Sequence, residues 1–219
     1  MANKIEVGVV GLGKFGQAFA RAFQEKGHTV VGVDRSESNV RRVQSYLYQT
    51  FQADGTDKGA LEQVGFKELD QVVVSTGKSM EASILVVLNL QELGVKKIWV
   101  KAVSEEHEKV LKRLGVHFVV FPERFVAQQI AHRMAVPGLL DYLGLGEDVV
   151  VREVEVDQWQ GKSLRQLDLT NRFNVQVVAF RAKEQEGLSF VPRADVVLTR
   201  GDTLVILGKG DDVLELADS

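Results

Sequence analysis

The segment Val9-Val10-Gly11-Leu12-Gly13-Lys14-Phe15-Gly16 decides the fold of this chain of 219 residues. An apolar run leads into the pattern G-x-G-x-x-G, and a helical pattern starts at its end. Gly11 permits a tight turn, Gly13 lets a pyrophosphate approach the backbone, and Gly16 lets the helix pack closely on the strand. Because the first N–H groups of that helix would face an anion, the segment predicts a nucleotide-binding loop rather than a purely structural turn.

An acidic residue follows at the position that such a loop requires. The apolar segment 29–33 predicts a second strand, buried on both faces, that ends at Asp34. An acid at this strand end accepts hydrogen bonds from ribose hydroxyls. Arg35 is either a neighbour for a 2′-phosphate or a solvated surface arginine, and Ser36 or Ser38 is the candidate N-cap for the next helix.

Strand and helix patterns alternate six times before residue 122. The predicted strands are 5–10, 29–33, 48–52, 72–75, 97–101 and 117–121. This alternation predicts a Rossmann-type, doubly wound parallel sheet, whose ligands bind beyond the carboxyl ends of the strands. The residues expected to meet in that crevice are Gly11, Gly13, Lys14, Phe15, Gly16, Asp34, Arg35, Ser36, Asp54, Gly55, Thr76, Gly77, Lys78, Lys101, Ala102 and Val103.

The pattern changes at Pro122 and Glu123, which suit the first turn of a helix. The apolar residues Phe125, Val126, Ile130 and Met134 predict an amphipathic helix, and Pro137-Gly138 ends it. Leu139, Leu140 and Leu143 predict a second short helix that reaches Gly144-Leu145-Gly146. Residues 123–146 are therefore expected to form a helical crossover or dimerisation arm; packing on their own domain is the alternative.

The last part of the chain has the pattern of a small α+β domain. Short strand-like segments at 149–156, 175–180, 196–198 and 204–207, with turns between them, predict an antiparallel sheet. The expected organisation is residues 1–122, a nucleotide-binding domain; 123–146, the helical arm; and 147–219, the small domain.

Composition and absent motifs limit the function. The net charge is -3, which does not favour nucleic acid or anionic lipid, and there is no cysteine for disulfides or thiolate metal sites. The N-terminus has no signal-peptide pattern, so a soluble globular protein is expected. No two of the four histidines have the spacing of a zinc motif, and the last domain has none to serve as a general acid. A sensory rather than a catalytic protein is expected.

These motifs together resemble the RCK (KTN) regulatory subunits of bacterial potassium uptake, of the KtrA and TrkA type. The first domain carries Gly-Leu-Gly-Lys-Phe-Gly at 11–16, Val-Asp34, Gln-Ala53-Asp54, Ile-Trp99-Val-Lys101-Ala and Pro122-Glu123. The small domain carries Ser163-Leu164-Arg165-Gln166-Leu167, Pro192 and Arg200-Gly201-Asp202-Thr203-Leu204. The order and spacing of these motifs cover essentially the full chain.

The resemblance implies a function and an assembly. Such proteins bind ATP or ADP, or NAD(H), in the Rossmann lobe and are not enzymes. They dimerise through the crossover helices and form a ring of eight subunits. The ring is cytoplasmic and peripheral on the inner face of the cell membrane, where it gates a potassium-translocating subunit of the KtrB or TrkH type. No nucleic acid is involved.

The resemblance also implies roles for single residues. Lys14 stands where these proteins usually carry an arginine that contacts the terminal phosphate, and Asp34 would hold the ribose. His107 would lie near the pocket rim. Glu123 matches an acid that takes part in binding Mg or Ca beside the nucleotide, unless it serves only as a favourable first-turn charge. In some relatives cyclic di-AMP binds the C-terminal domain.

Two other functions use the same loop. An NAD(P)-dependent oxidoreductase would need a general acid or base in the second domain, where only carboxylates and lysines are available. A free-standing sensor, such as a transcription regulator, would need a basic helix-turn-helix, and the sequence shows none.

Overall fold

The computed structural model describes residues 4–77, 79–135, 138–143 and 149–218. The chain divides into two units, Met1–Pro122 and Glu123–Ser219. Each unit has its own apolar core. Two residues of the sequence prediction, Lys78 and Pro137, lie outside the described part, as does the segment 144–146.

The first unit is built on six parallel strands. They are β1 (Glu6–Val10), β2 (Thr29–Asp34), β3 (Gln49–Gln52), β4 (Gln71–Val74), β5 (Ile98–Lys101) and β6 (Phe118–Val120). Their order in the sheet is β3-β2-β1-β4-β5-β6, and every neighbouring pair is parallel. The predicted doubly wound sheet is confirmed. The direction of winding reverses between β1 and β4, and this reversal is where such sheets bind ligands.

Five helices cover the two faces of this sheet. They are α1 (Lys14–Glu25), α2 (Glu37–Val43), α3 (Lys58–Gln63), α4 (Met80–Glu92) and α5 (Glu105–Arg113), with a short 3₁₀ turn at Phe66–Glu68. Serine caps start two of them: the Ser79 hydroxyl accepts from the Ala82 N–H at 3.1 Å, and the Ser104 hydroxyl accepts from the His107 N–H at 3.2 Å. Such caps stabilise a helix end by about 1 kcal/mol each.

Close packing of α1 on β1 depends on Gly16. A Cβ atom at this position would lie 2.0 Å from the carbonyl oxygen of Gly11, far inside van der Waals contact. The helix therefore starts directly against the turn that ends β1. Apolar residues on its inner face, among them Ala20, join Val9, Leu12 and Val30 in one core cluster.

The second unit begins with helix α6 (Pro122–Ala135), whose first residue is the last of the first unit. A five-stranded antiparallel sheet follows, in the order β10-β9-β11-β8-β7. Its strands are β7 (Leu139–Leu143), β8 (Val149–Glu155), β9 (Gln176–Arg181), β10 (Ser189–Phe190) and β11 (Thr203–Lys209). Helices α7 (Leu164–Leu167), α8 (Leu169–Phe173) and α9 (Gly210–Asp218) complete the expected small α+β domain.

The prediction of a second helix at residues 139–143 is wrong. This segment is strand β7, which pairs antiparallel with β8. A short apolar run is ambiguous between helix and strand, and here the neighbouring ladder decides. Gly138, directly before the strand, has a φ of 78°, and its carbonyl accepts a hydrogen bond from the Glu153 N–H at 2.8 Å. Where the structure describes it, at 123–135 and 138–143, the expected arm therefore consists of most of helix α6 and a strand of the small domain's sheet.

Two smaller differences concern the end of the chain. The strand expected near residues 196–198 forms only an isolated bridge between Val197 and Ser163. The sequence interpretation does not include helix α9, although Val213 and Leu216, which are both buried, stand at helical spacing behind the acidic pair Asp211 and Asp212.

Within the described ranges, no helix has the length and apolar character needed to cross a bilayer.

The packing at Gly16 leads to a stability prediction. The substitution Gly16→Ala should destabilise the first unit by roughly 1–3 kcal/mol, because the new methyl group collides with backbone that cannot rotate away. The control is Gly13→Ser, since no atom lies within 4 Å of a Cβ there and serine is a favoured N-cap residue. Urea unfolding of both variants measures the difference. Equal midpoints would contradict the proposed constraint.

Candidate nucleotide-binding site

A cleft of about 920 Å³ opens at the carboxyl edge of the parallel sheet. It lies where the winding reverses, between β1 and β4. Two backbone hydrogen bonds hold the strand ends together at this point: the Gly11 N–H donates to the Val33 carbonyl at 2.8 Å, and the Ser75 N–H donates to the Val10 carbonyl at 2.7 Å. The position and size of the cleft suit a nucleotide or a dinucleotide.

Most residues predicted for the crevice line this cleft. They are Gly11, Gly13, Lys14, Phe15, Asp34, Arg35, Ser36, Asp54, Gly55, Thr76, Gly77 and Lys101. Gly16 lies behind the loop, where it packs the helix on the strand. Ala102 is fully buried in the core, and neither Val103 nor His107 is among the lining residues.

The cleft also contains residues that the sequence interpretation missed. These are Gln17, Asn39, Arg42, Thr56, Ser79, Glu81, Ala82 and Leu85. Asn39 and Arg42 stand three residues apart on α2, so they share one face of that helix. The spacing of Asn39 and Arg42 shows in the sequence that they share a helix face. It does not show that this face points toward the carboxyl edge of the sheet.

The three glycines of the loop have different reasons to lack a side chain. Gly11 has a φ of 95°, and a Cβ there would lie 2.5 Å from the Ser75 carbonyl oxygen. At Gly16 the obstacle is the loop itself. Gly13, by contrast, has a φ of -69°, and a Cβ atom there would have no other atom within 4 Å, so any residue could fold there. The empty space beside Gly13 is part of the cleft, as expected for a surface that a phosphate approaches.

The N-terminus of α1 is prepared for an anion. Its N-cap residue, Gly13, offers no side-chain acceptor, and the first turn carries no acidic residue. The first N–H groups of the helix are therefore available to donate hydrogen bonds to a ligand. The helix dipole adds roughly half a positive charge at this end. The exposed side chain of Lys14 adds a full charge at the same helix end.

The side chain of Asp34 lies between the glycine loop and the start of α2. Its Oδ2 accepts hydrogen bonds from the Leu12 N–H at 2.7 Å and from the Asn39 amide at 3.1 Å. Its Oδ1 accepts from the Ser36 N–H at 2.7 Å. The carboxylate is thus oriented at the strand end where an adenosine ribose is expected.

Asp54 supplies a second oriented carboxylate after β3. Its Oδ1 accepts from the Thr56 N–H at 2.9 Å and from the Thr56 hydroxyl at 2.8 Å. The backbone hydrogen bond, then the hydroxyl, and then the positive charge of Arg35 hold the pKa of Asp54 below its ordinary value. The carboxylate is therefore a hydrogen-bond acceptor at neutral pH and can accept a hydrogen bond from a hydroxyl or amino group of a ligand.

Cationic side chains outnumber acidic ones on the described wall of the cleft. The cations are Lys14, Arg35, Arg42 and Lys101, and the acids are Asp34, Asp54 and Glu81. The Lys101 ammonium lies 5.6 Å from the centre of the Phe15 ring. Thr76, another lining residue, has a buried Oγ1 that makes no hydrogen bond within the described residues. The excess of cations suits a phosphorylated ligand.

His107 lies inside the protein rather than at the cleft. Its side chain is fully buried on α5, and its Nδ1 accepts a hydrogen bond from the Val103 N–H at 3.3 Å. Burial lowers the pKa of His107, so the ring is neutral at pH 7. Its Nε2 has no hydrogen-bond partner in the described structure. The side chain supports the loop that follows β5, the strand that carries Lys101.

A divalent-cation site is not formed within the described part of one chain. No three His, Cys, Asp or Glu side chains come together there as a possible metal-binding group. Glu123 lies in the first turn of α6, in the second unit. The described residues of a single chain therefore supply no cluster of three or more such side chains that could hold a metal ion by themselves.

The fold and the cleft define a Rossmann-type nucleotide-binding domain joined to a small α+β domain. Residues 7–122 match the TrkA-N domain, and residues 149–219 match the TrkA-C domain. The chain belongs to the family of proteins that combine these two domains. The resemblance to the KtrA and TrkA type is confirmed.

Two potassium uptake proteins match this chain along nearly their whole length. Ktr system potassium uptake protein C of Bacillus subtilis is 35% identical over 211 residues, or 96% of this chain and 95% of that protein. Ktr system potassium uptake protein A of the same organism is 29% identical over 206 residues, or 94% of this chain and 92% of that protein. The GsuK channel bound to NAD shares the fold, with a TM-score of 0.54 and 19% identity over 100% of this chain and 38% of that one.

Gly13 separates folding from binding. The substitution Gly13→Asp should leave the unfolding free energy unchanged or raise it by about 0.3 kcal/mol, because aspartate is only slightly better than glycine as an N-cap residue. The same change should abolish nucleotide binding, since both bulk and negative charge would occupy the phosphate position. Gly13→Asn, which adds the bulk alone, is the matched control. Unchanged affinities for ATP, ADP and NADH in the aspartate variant would place the site elsewhere.

The burial of His107 predicts a pH-dependent stability. Because its pKa is lowered in the folded state, its contribution is complete above about pH 6.5, the unfolded value, and is lost as the pH falls below it. The unfolding free energy should fall by up to about 1.4 kcal/mol per pH unit there. The variant His107→Leu should flatten this dependence, whereas His117→Gln, at an exposed site, should not. In a Trp159→Phe background, Trp99 fluorescence reports the first unit alone.

Proposed function

We propose that this chain is a nucleotide-sensing, gating subunit of a bacterial potassium channel or transporter. The observation that carries the proposal is the uncapped start of α1, which faces a 920 Å³ cleft at the switch point with Lys14 at its end and Asp34 at its side. The two full-length relatives are potassium uptake proteins by name. In this proposal the protein acts by binding a nucleotide and catalyses no reaction. The names of these two relatives give no support to the alternative of an oxidoreductase.

The ligand is ATP or ADP, or NAD(H). The cleft is large enough for either, and the GsuK channel, which shares the fold, is described with NAD. The cationic wall favours ligands with more phosphate charge. Lys14 reaches the end of α1 from an exposed position, so it is the residue that would contact a terminal phosphate. As a point charge it lacks the bidentate geometry of arginine, and its discrimination between ATP and ADP is therefore electrostatic.

Gating requires a difference in affinity. A nucleotide shifts the equilibrium between a conducting and a closed assembly only if it binds one of them more tightly. To change the ratio of the two assemblies from 1:99 to 99:1, the nucleotide must bind one of them roughly 10⁴-fold more tightly than the other. In a ring, this total affinity ratio is the product of the smaller ratios at the individual subunits. Small differences at each cleft are therefore sufficient when many copies act together.

The assembly is proposed to start with a homodimer through α6 and to end in an octameric ring on the cytoplasmic face of a membrane subunit of the KtrB or TrkH type. Helix α6 buries none of its residues in the single chain. Its large apolar residues are exposed: Phe125 by 62%, Val126 by 51%, Ile130 by 52% and Met134 by 82%. A second copy would cover this helix.

Two further ligands belong to the assembled form. An Mg or Ca ion near Glu123 would need phosphate oxygens or the second copy's carboxylate, because one acid is a weak ligand set. Cyclic di-AMP would need more than the depression of about 240 Å³ beside α7 and α8, which Arg165 and Pro192 line. A second small domain facing the first would enlarge it.

The role of Lys14 is tested by Lys14→Gln. This change should weaken ATP binding by about tenfold and NAD binding much less, because a charge-assisted hydrogen bond to the terminal phosphate is lost. Lys26→Gln, an equal charge change at the other end of α1, is the control. Calorimetry with ATP, ADP, NAD and NADH, with and without Mg, measures the difference. Absence of binding by the wild-type chain would reject the proposed function.

The role of α6 is tested by Ile130→Glu. If this helix forms the dimer, a charge at its exposed apolar face should shift the protein toward a monomer in light scattering coupled to size exclusion. Gln128→Glu, another exposed position of the same helix, controls for charge. A wild-type protein that is monomeric, or a variant that assembles normally, would contradict the proposed interface.

A further inference from the structure

The glycine loop is held by side chains on both sides of Leu12. The Asp34 carboxylate accepts from the Leu12 N–H at 2.7 Å, and the Gln17 side-chain amide donates to the Leu12 carbonyl at 2.6 Å. These groups belong to two successive peptide units, 11–12 and 12–13. Asp34 comes from the end of β2, and Gln17 from the first turns of α1.

The Gln17 bond sets the direction of the Gly13 N–H. A trans peptide unit is planar, with its C=O and N–H pointing in opposite directions. Holding the Leu12 carbonyl therefore also orients the N–H of Gly13, a residue that lines the cleft. The Leu12 side chain is fully buried, so this part of the loop is fixed in the core as well.

The acceptor capacity of Asp34 is already largely used. A carboxylate oxygen has two lone pairs. Oδ2 receives two donors, Leu12 N–H and the Asn39 amide, and Oδ1 receives the Ser36 N–H. One position on Oδ1 is left for a ribose hydroxyl. Most of the hydrogen bonding of this carboxylate thus serves the protein backbone.

We propose that Asp34 and Gln17 are positioning residues that clamp the two peptide units around Leu12 and so hold the glycine loop in the shape that receives phosphate. The inference rests on the proposed nucleotide site and deepens it. Asp34 has two roles, a ribose contact and a loop clamp. Asp34 therefore couples the ribose and phosphate subsites, because the carboxylate that would contact the ribose also holds the loop that would receive the phosphate.

A ligand without ribose separates the two roles. Asp34→Asn replaces one acceptor oxygen by a donor and so opposes a backbone N–H of Leu12 or Ser36. If the clamp matters, this variant should bind inorganic tripolyphosphate about tenfold more weakly than the wild type does, in addition to losing ADP affinity. If Asp34 acts only on ribose, ADP binding weakens and tripolyphosphate binding is unchanged or tighter, since the variant removes a negative charge from the cleft; either result would overturn the proposal.

Gln17→Leu tests the clamp without touching the ribose contact. It should weaken ADP and tripolyphosphate by the same factor, whereas Asp34→Asn should weaken ADP by the larger factor. Ser38→Ala is the control, because the Ser38 hydroxyl contacts only the Ser36 hydroxyl in the described hydrogen bonds. Calorimetry measures ADP, and ³¹P NMR titration measures tripolyphosphate. Gln17→Leu with unchanged tripolyphosphate affinity would also overturn the proposal.

Hydrogen–deuterium exchange decides the question without any ligand. A peptide covering residues 9–16 should exchange at least about tenfold faster in Asp34→Asn and Gln17→Leu, because the loop is less restrained. Peptides from α5 should exchange as in the wild type, which distinguishes a loosened loop from an unfolded domain. Equal exchange in the loop would reject the clamp. A wild-type protein with a protected loop but no ADP binding would instead reject the proposed function alone.

Discussion

The close approach of α1 to the end of β1 is the constraint on which the first unit depends. Gly11 and Gly16 leave no room for a side chain, since a Cβ at Gly16 would lie 2.0 Å from the Gly11 oxygen. The helix therefore starts at once after the strand, and its first N–H groups face the point where the sheet reverses direction. The same packing that closes the core thus creates the site. Gly13, which packing leaves unconstrained, borders the open space.

Polar contacts complete what the packing begins. Asp34 connects β2, the loop and α2, and Asp54 is oriented by Thr56 at the end of the next strand. Each carboxylate is held by backbone donors before any ligand arrives. A preorganised site of this kind binds without a large ordering cost.

The sequence predicts the first unit well because its constraints are local. The glycine loop, Asp34 and the alternating pattern each follow from backbone geometry within a few residues, and the cleft joins their strand ends. The residues that were missed, such as Gln17 and Arg42, project from helices, and their direction depends on how each helix packs on the sheet. His107 shows the reverse case: it follows a lining strand in sequence, but its ring is turned into the core.

The second unit is less predictable because its structure depends on distant pairing. Residues 139–143 carry three leucines in a pattern that fits a helix or a strand. They become β7 because β8 offers an antiparallel edge. Helix α9 packs against β11 and β8 through buried residues that recur at helical spacing, a signal that was present but short. Side-chain alternation alone cannot decide such cases.

Hydrogen–deuterium exchange of the wild-type chain with and without ADP tests the central claim most directly. The account predicts slower exchange on ADP binding in peptides that cover residues 9–16, 33–36 and 53–56, at the carboxyl ends of β1, β2 and β3. The amino ends of the same strands should be unaffected. Protection that is absent from these loops, or that is confined to the second unit, would contradict a nucleotide site at the switch point of the sheet.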